Sequence, residues 1–259
     1  MSKKIYLGTN TKMYKTIAQT VSFLTELERR TDDLSRAALT LFVIPSFTSL
    51  DAAHRAVSPQ KILLGAQNMG WEEEGPFTGE ISPPMLQEVG VRIAEIGHSE
   101  RRHVLMETDE MENRRVLCAL RNDLTPLLCV GETGGEKRLG LSTEVLRSQL
   151  KRGLYGVTPG QAERVWIAYE PVWAIGENGV PATEEYAARR HADIRALLEE
   201  LFGREIARRI HVLYGGSVNN GNATGLIRQE NVDGLFIGRS AWDAENFEKI
   251  IRMVLRECA

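Results

Sequence analysis

The sequence predicts one α/β domain over residues 1–259, a single (β/α)8 barrel in which eight parallel strands close on themselves inside a ring of helices. Three observations predict it. Eight short apolar runs recur along the chain, and each is followed by an amphipathic stretch or by a loop leading to one. The rhythm fills 259 residues, close to the ~250 that a closed barrel of this kind uses. No linker, low-complexity tract or charge block divides it.

The strands are expected at Ile5–Thr9, Leu39–Ile44, Ile62–Ala66, Ile93–Ile96, Thr125–Val130, Val165–Tyr169, His211–Tyr214 and Gly234–Ile237. The clearest helices are expected at Thr16–Arg30, Arg101–Leu120, Thr183–Leu201 and Glu245–Glu257. They set apolar residues three or four apart, as Val21, Leu24 and Leu27 show. Two stretches are too long for simple connectors and read as loops for function or assembly: Asn68–Ser82 and the glycine-rich Thr133–Leu141.

Hydrophobic residues make up 42% and charged residues 26%, as in ordinary globular proteins, and the net charge is -3. That balance gives no support to a nucleic-acid partner, and an anionic ligand would need local features to hold it. No segment approaches the ~18 apolar residues of a membrane span, and no signal-peptide core follows Met1. The cysteines Cys118, Cys129 and Cys258 are odd in number and widely spaced. They predict a reducing compartment, and the cytoplasm is the expected location.

Polar residues gather where strands end: Asn10 and Lys12 after the first, His98, Ser99 and Glu100 after the fourth, and Glu170 after the sixth. Tyr214–Ser217 and Gly238–Ser240 follow the seventh and eighth. A barrel brings these ends to one face, where such folds carry their chemistry. Glu170 follows the apolar run Trp166–Tyr169, where partial desolvation would favour its use as a base. The apolar loop Pro171-Val172-Trp173-Ala174-Ile175-Gly176 behind it reads as a lid over a substrate. His98 opens a helix, where a charged imidazole is disfavoured and a neutral one can donate to a carbonyl. His103, one turn on, reads as helix surface, and no third ligand argues for a metal. Lys12 offers a fixed cation for a phosphate or an oxyanion. Gly215-Gly216-Ser217 and Gly238-Arg239-Ser240 let main-chain N–H groups approach an anion.

Taken together, Asn10-Thr11-Lys12-Met13, Gly65-Ala66-Gln67-Asn68, Phe77–Ser82, Gly97-His98-Ser99-Glu100-Arg101-Arg102, Cys129–Thr133, Ala168–Gly176 and Tyr214–Val218 resemble the triosephosphate isomerase family, in family order from residue 5 to about 240. The resemblance implies a TIM barrel without metal or cofactor that interconverts dihydroxyacetone phosphate and glyceraldehyde 3-phosphate through an enediolate, in glycolysis and gluconeogenesis. It implies Glu170 as the proton-shuttling base, His98 as neutral electrophile, and Lys12 as cationic stabiliser, supported by Asn10 and paired with Glu100. By the same resemblance Thr11, Gly176, Ser217, Gly238 and Arg239 contact the substrate or its phosphate. Tyr214 and Ser217 catch the closed lid, and the loop around Thr78 docks into a second subunit of a homodimer.

Four departures concern the substrate. The family usually has Trp at Thr11 and Asn-Gly at Tyr14-Lys15, and its lid is one residue shorter than Gly176–Pro181. Its last phosphate motif is Gly-Gly-Ala, whereas this chain has Gly238-Arg239-Ser240. That segment, with Ala241-Trp242, resembles relatives acting on erythrulose phosphates, so a tetrulose phosphate is the alternative substrate. Two further classes fit a phosphate-binding barrel. A Schiff-base aldolase needs a strand lysine, and none of the expected strands has a central one. A non-catalytic phosphosugar-binding barrel would follow if Arg239 filled the pocket.

Overall fold

The computed structural model describes residues 4–176 and 179–258. Eight parallel strands close into a barrel in sequence order: β1 (Ile5–Asn10), β2 (Leu39–Ile44), β3 (Leu63–Ala66), β4 (Val91–Ile96), β5 (Thr125–Val130), β6 (Trp166–Tyr169), β7 (His211–Tyr214) and β8 (Gly234–Phe236). The last strand returns to the first, with Tyr6 beside Gly234, Leu7 beside Leu235 and Gly8 beside Phe236. Every expected strand is present.

Alternate strand residues point inward and outward. Tyr6, Phe42, Ile44, Ile93, Leu127, Cys129, Trp166, Ala168, Leu213 and Phe236 fill the barrel. Leu7, Leu41, Val43, Ile167 and Val212 join the core that the surrounding helices cover. Both faces are buried, which is why the strands read as nearly continuous apolar runs.

Three of the four expected helices stand, at Ile17–Arg30, Glu184–Phe202 and Ala244–Glu257. Thr16, Thr183 and Asp243 cap them by accepting a main-chain N–H, which sets their first residues. The expected helix Arg101–Leu120 is instead two helices, Ser99–His103 and Asp109–Arg121. Met106 takes a left-handed φ of 58° between them. Thr108 then accepts from Met111 N–H and starts a new helix whose first turn holds Asp109, Glu110 and Glu112. Thr133–Leu141 also differs from the expected loop: Gly134–Arg138 is a short helix closed by a capping box between Thr133 and Glu136. Asn68–Ser82 does run without helix or strand.

That long loop is held from behind. Arg115 is buried, donating to Met69 O at 2.8 Å and to Glu107 at 2.9 Å. Arg114 and Arg115 lie 4.3 and 5.2 Å from the Trp71 ring centre. Glu112, fully buried beside them, has an Oε1 without a hydrogen-bond partner. Burial raises its carboxyl to about 7 from 4.5, against the pull of Arg102 and Arg115. A carboxyl raised on folding stabilises the fold below its unfolded value and loses that advantage as pH climbs through its folded one. Glu112→Gln is therefore expected to match the parent Tm near pH 4 and to exceed it above pH 7, by a difference on the order of 1–3 kcal/mol. Thermal unfolding at both pH values checks this; identical pH responses would refute it.

Candidate active site

The carboxyl ends of the strands open into a cavity of about 480 Å³. Asn10 at the end of β1, Lys12 just after it, His98 and Glu100 after β4, Glu170 after β6, Ser217 after β7, and Gly238 and Arg239 after β8 all line it, as do Ile175 and Gly176. Residues distant in sequence thus share one chamber, open although Arg239 stands in its wall.

Glu170 extends β6: its N–H donates to Val130 O at 2.8 Å, and Gly215 N–H donates to Tyr169 O at 2.8 Å. Its neighbours must approach closely. A Cβ on Gly131 would lie 2.0 Å from the Glu170 carbonyl oxygen, and one on Gly215 would lie 2.8 Å from its Cγ. The side chain is buried, and Oε2 has no hydrogen-bond partner in the protein. A buried carboxylate oxygen without a partner is costly unless a ligand engages it.

His98 Nε2 lies 3.8 Å from that Oε2. His98 caps the helix Ser99–His103, its Nδ1 accepting from Glu100 N–H at 3.1 Å. An accepting Nδ1 carries no proton, so the ring proton sits on Nε2, toward Glu170. His103 ends that helix, exposed. Lys12 has a left-handed φ of 51°. Its N–H donates to Asn10 Oδ1 at 2.5 Å, its carbonyl accepts from Gln67 at 2.7 Å, and its Nζ pairs with Glu100 Oε1 at 2.6 Å. Asn10 in turn donates to Glu95 Oε2 at 2.6 Å, and Trp242 Nε1 donates to the Asn10 carbonyl at 2.9 Å.

At the other end of the chamber, the turn Arg239–Ala241 follows Gly238. The N–H groups that open such a turn lack partners within it, which suits an anion. Tyr14 packs on Trp242 at 4.7 Å between ring centres, and both line the cavity with Arg239 and Ser240.

The segment after Glu170 is less exposed than its composition predicts. Pro171 and Ala174 are buried, and Val172, Trp173 and Ile175 are half-buried. Glu132 accepts from Trp173 Nε1 at 2.8 Å, from the Tyr186 hydroxyl at 2.7 Å and from the Tyr169 hydroxyl at 3.1 Å. Lys137 Nζ sits 3.2 Å above the Trp173 ring, and the Ser217 hydroxyl donates to Ala174 O at 2.5 Å. Glu177 and Asn178, part of the longer lid, lie outside the described residues. Tyr214 is buried beside Tyr169, with ring centres 6.1 Å apart, and does not line the cavity. Thr11 is also fully buried and away from it.

Sequence reasoning missed Asn219 in the wall and Glu95 behind it, and it marked Tyr14, Trp242 and Gln67 only as parts of family segments without placing them at the site. Glu95 did leave a signal, as a carboxylate inside the apolar run Ile93–Ile96. Trp242 was marked only as part of the tetrulose-like segment, and its contact with Asn10 left no signal because the two lie 232 residues apart. Among the described residues no group of three or more His, Cys, Asp or Glu is placed to hold a metal, and no helix is long and apolar enough to cross a membrane.

Comparison with known proteins bears on this geometry. The family profile described as triosephosphate isomerase matches residues 5–254. The chain is 45% identical over 252 residues to a Rhizobium etli protein named L-erythrulose-1-phosphate isomerase, covering 96% of this chain and 92% of the relative. It is 42% identical over 259 residues to a protein of the same name from Rhizobium meliloti, covering 99% of each. It is 44% identical over 251 residues to a Solibacter usitatus protein named triosephosphate isomerase, covering 97% of this chain and 99% of the relative.

Proposed function

The chain belongs to the triosephosphate isomerase family and is a phosphosugar isomerase; from that premise we propose L-erythrulose 1-phosphate as its substrate. The observation that carries this choice is the wall formed by Tyr14, Arg239, Ser240 and Trp242. Tyr14, Arg239 and Ser240 stand where the family pattern has Asn, Gly and Ala, and relatives named for the tetrulose cover 96–99% of the chain.

Glu170 removes a proton from the carbon next to the carbonyl and returns it to the former carbonyl carbon. One C–H bond breaks, one forms, and no oxidant is needed. The His98 Nε2–H donates to the oxyanion of the enediolate, and the Lys12 ammonium adds its charge. Asn10 fixes the Lys12 main chain and Glu100 its ammonium. Main-chain N–H groups of Gly176, Ser217, Gly238 and Arg239 hold the phosphate. Pro171–Gly176 closes over it, and Tyr214 and Ser217 retain the closed form. Erythrulose 1-phosphate carries its phosphate on C1, so the shift runs between C2 and C3, the hydroxyl proton passes from O3 to O2, and the product is a second ketose phosphate, whereas the triose gives an aldose by the same step. The extra hydroxymethyl group, relative to the triose, then hangs from the carbon that loses the proton.

Dihydroxyacetone phosphate is the second reading, favoured by the Solibacter usitatus relative and by Lys12, His98 and Glu170 meeting in one cavity. It would place the enzyme in glycolysis and gluconeogenesis. The test is kcat/KM on both ketose phosphates, expected to favour the tetrulose by about 10-fold or more. Arg239→Gly is expected to cost about 10- to 100-fold on the tetrulose, the loss of a charged hydrogen bond of roughly 1.5–3 kcal/mol. Faster turnover of the triose, with Arg239→Gly neutral, would select the second reading.

The residues act as one catalytic domain over 1–259 in a cytoplasmic homodimer. The buried thiols Cys118 and Cys129, which form no disulfide, support the reducing compartment. Exposed apolar side chains support the dimer: Met13 is 96% exposed, Val104 71% and Met106 74%. Phe77 and Thr78 project from the long loop that Arg115 ties to this side of the barrel.

A further inference from the structure

Glu95 is a charged residue type in the interior of the barrel, and the steps above do not use it. It lies on β4, three residues before His98, with no exposed surface. Its side-chain contacts are Asn10 Nδ2, 2.6 Å from Oε2, and Cys129 Sγ, 3.9 Å from Oε1. Among the described residues no ion pair reaches it.

We propose that Glu95 is a positioning residue for the isomerisation, holding the Asn10 amide in the orientation that fixes the Lys12 main chain. The inference rests on the reading of Asn10 and Lys12 as parts of the site. The carboxyl of Glu95 is un-ionised. A carboxylate there would be stripped of water with no cation in contact, which is prohibitive. The nearby Glu170 carboxylate adds like-charge repulsion. Burial first and Glu170 second hold the Glu95 carboxyl well above the usual range. The same two causes keep the Cys129 thiol un-ionised.

A neutral carboxylic acid has one carbonyl acceptor and one O–H donor. The carbonyl oxygen, Oε2, accepts from Asn10 Nδ2, and Oε1, which carries the proton, accepts from the Cys129 thiol at 3.9 Å. With Nδ2 committed downward, Asn10 must present Oδ1 upward. There it accepts from Lys12 N–H at 2.5 Å and from Gln67 Nε2 at 3.0 Å. Turning the amide over would set NH2 against two donors. The contact matters because Lys12 holds a left-handed φ of 51°, which a non-glycine residue keeps only when its surroundings enforce it. Glu95 thus acts on a residue of the cavity without reaching the cavity.

The test uses the full chain, the faster of the two ketose phosphates, and pH profiles of kcat and kcat/KM. Glu95→Leu, close in shape but unable to accept from Asn10, is expected to lower kcat about 10- to 100-fold. Glu95→Gln can still accept from Asn10 through its amide oxygen. It is expected to stay within about threefold of the parent, with the acid limb of kcat/KM unmoved, because no charge has been removed. An infrared difference spectrum at pH 8 between the parent and Glu95→Gln is expected to show the carbonyl stretch of a protonated acid. This reading stands even if Glu95→Leu does not fold. Glu95→Leu within about threefold of the parent would overturn the proposal. So would an acid limb displaced in Glu95→Gln, or no protonated-acid band. Glu170→Asp, run alongside, reports separately on the site itself: full activity there would fault the reading of the site, whatever Glu95 does.

Discussion

Glu170→Asp is expected to lower kcat by about 100-fold or more while KM changes little, in the same isomerase assay. The shorter side chain keeps the charge but withdraws the carboxylate by one methylene. It cannot recover that reach by moving its backbone. Gly131 lies against the Glu170 carbonyl, Gly215 against its Cγ, and its N–H is held by Val130. The neighbours that fix the parent carboxylate therefore hold the shorter one out of position. Binding draws mainly on the phosphate end, so KM is spared. A loss of less than about tenfold would mean that the proton is moved by another group.

His98→Ala is expected to lower kcat by about 10²- to 10³-fold, the effect of removing one donor to a developing oxyanion. The Nε2–H is aimed at the cavity because Nδ1 is occupied by the Glu100 N–H. The substitution also uncaps the helix Ser99–His103, and stability is expected to fall by about 1 kcal/mol. The two effects separate cleanly. A lowered Tm with unchanged kcat would leave His98 a helix cap and nothing more.

The strands were legible because both their faces are buried, so composition alone marks them, and the site was legible because a barrel gathers strand ends. Glu170, His98, Lys12 and Arg239 meet as that geometry predicts. Periodicity overran the break at Met106, where the Thr108 cap outweighs the apolar pattern that continues through it. The glycines at 134 and 135 read as a loop, although Thr133 and Glu136 form a capping box across them. The lid segment reads as exposed because composition cannot show that Glu132 and Tyr186 come from elsewhere to meet Trp173. Glu95 shows the same limit. Its position in the chain marks an anomaly, but its meaning lies in Asn10, 85 residues away.

The seam between β1 and β8 bears on how the enzyme comes into being. Asn10 and Lys12 belong to the first strand and the residues just after it, whereas Arg239 and Trp242 follow the eighth. The first strand has no partner on one edge until β8 arrives, and an open parallel edge is prone to wrong pairings. A nascent chain lacking its final strand has neither a closed barrel nor an anion-binding end to its chamber. Isomerase activity therefore reports on chains that include β8 and the turn behind Gly238, and truncation before Gly234 abolishes it outright instead of grading it.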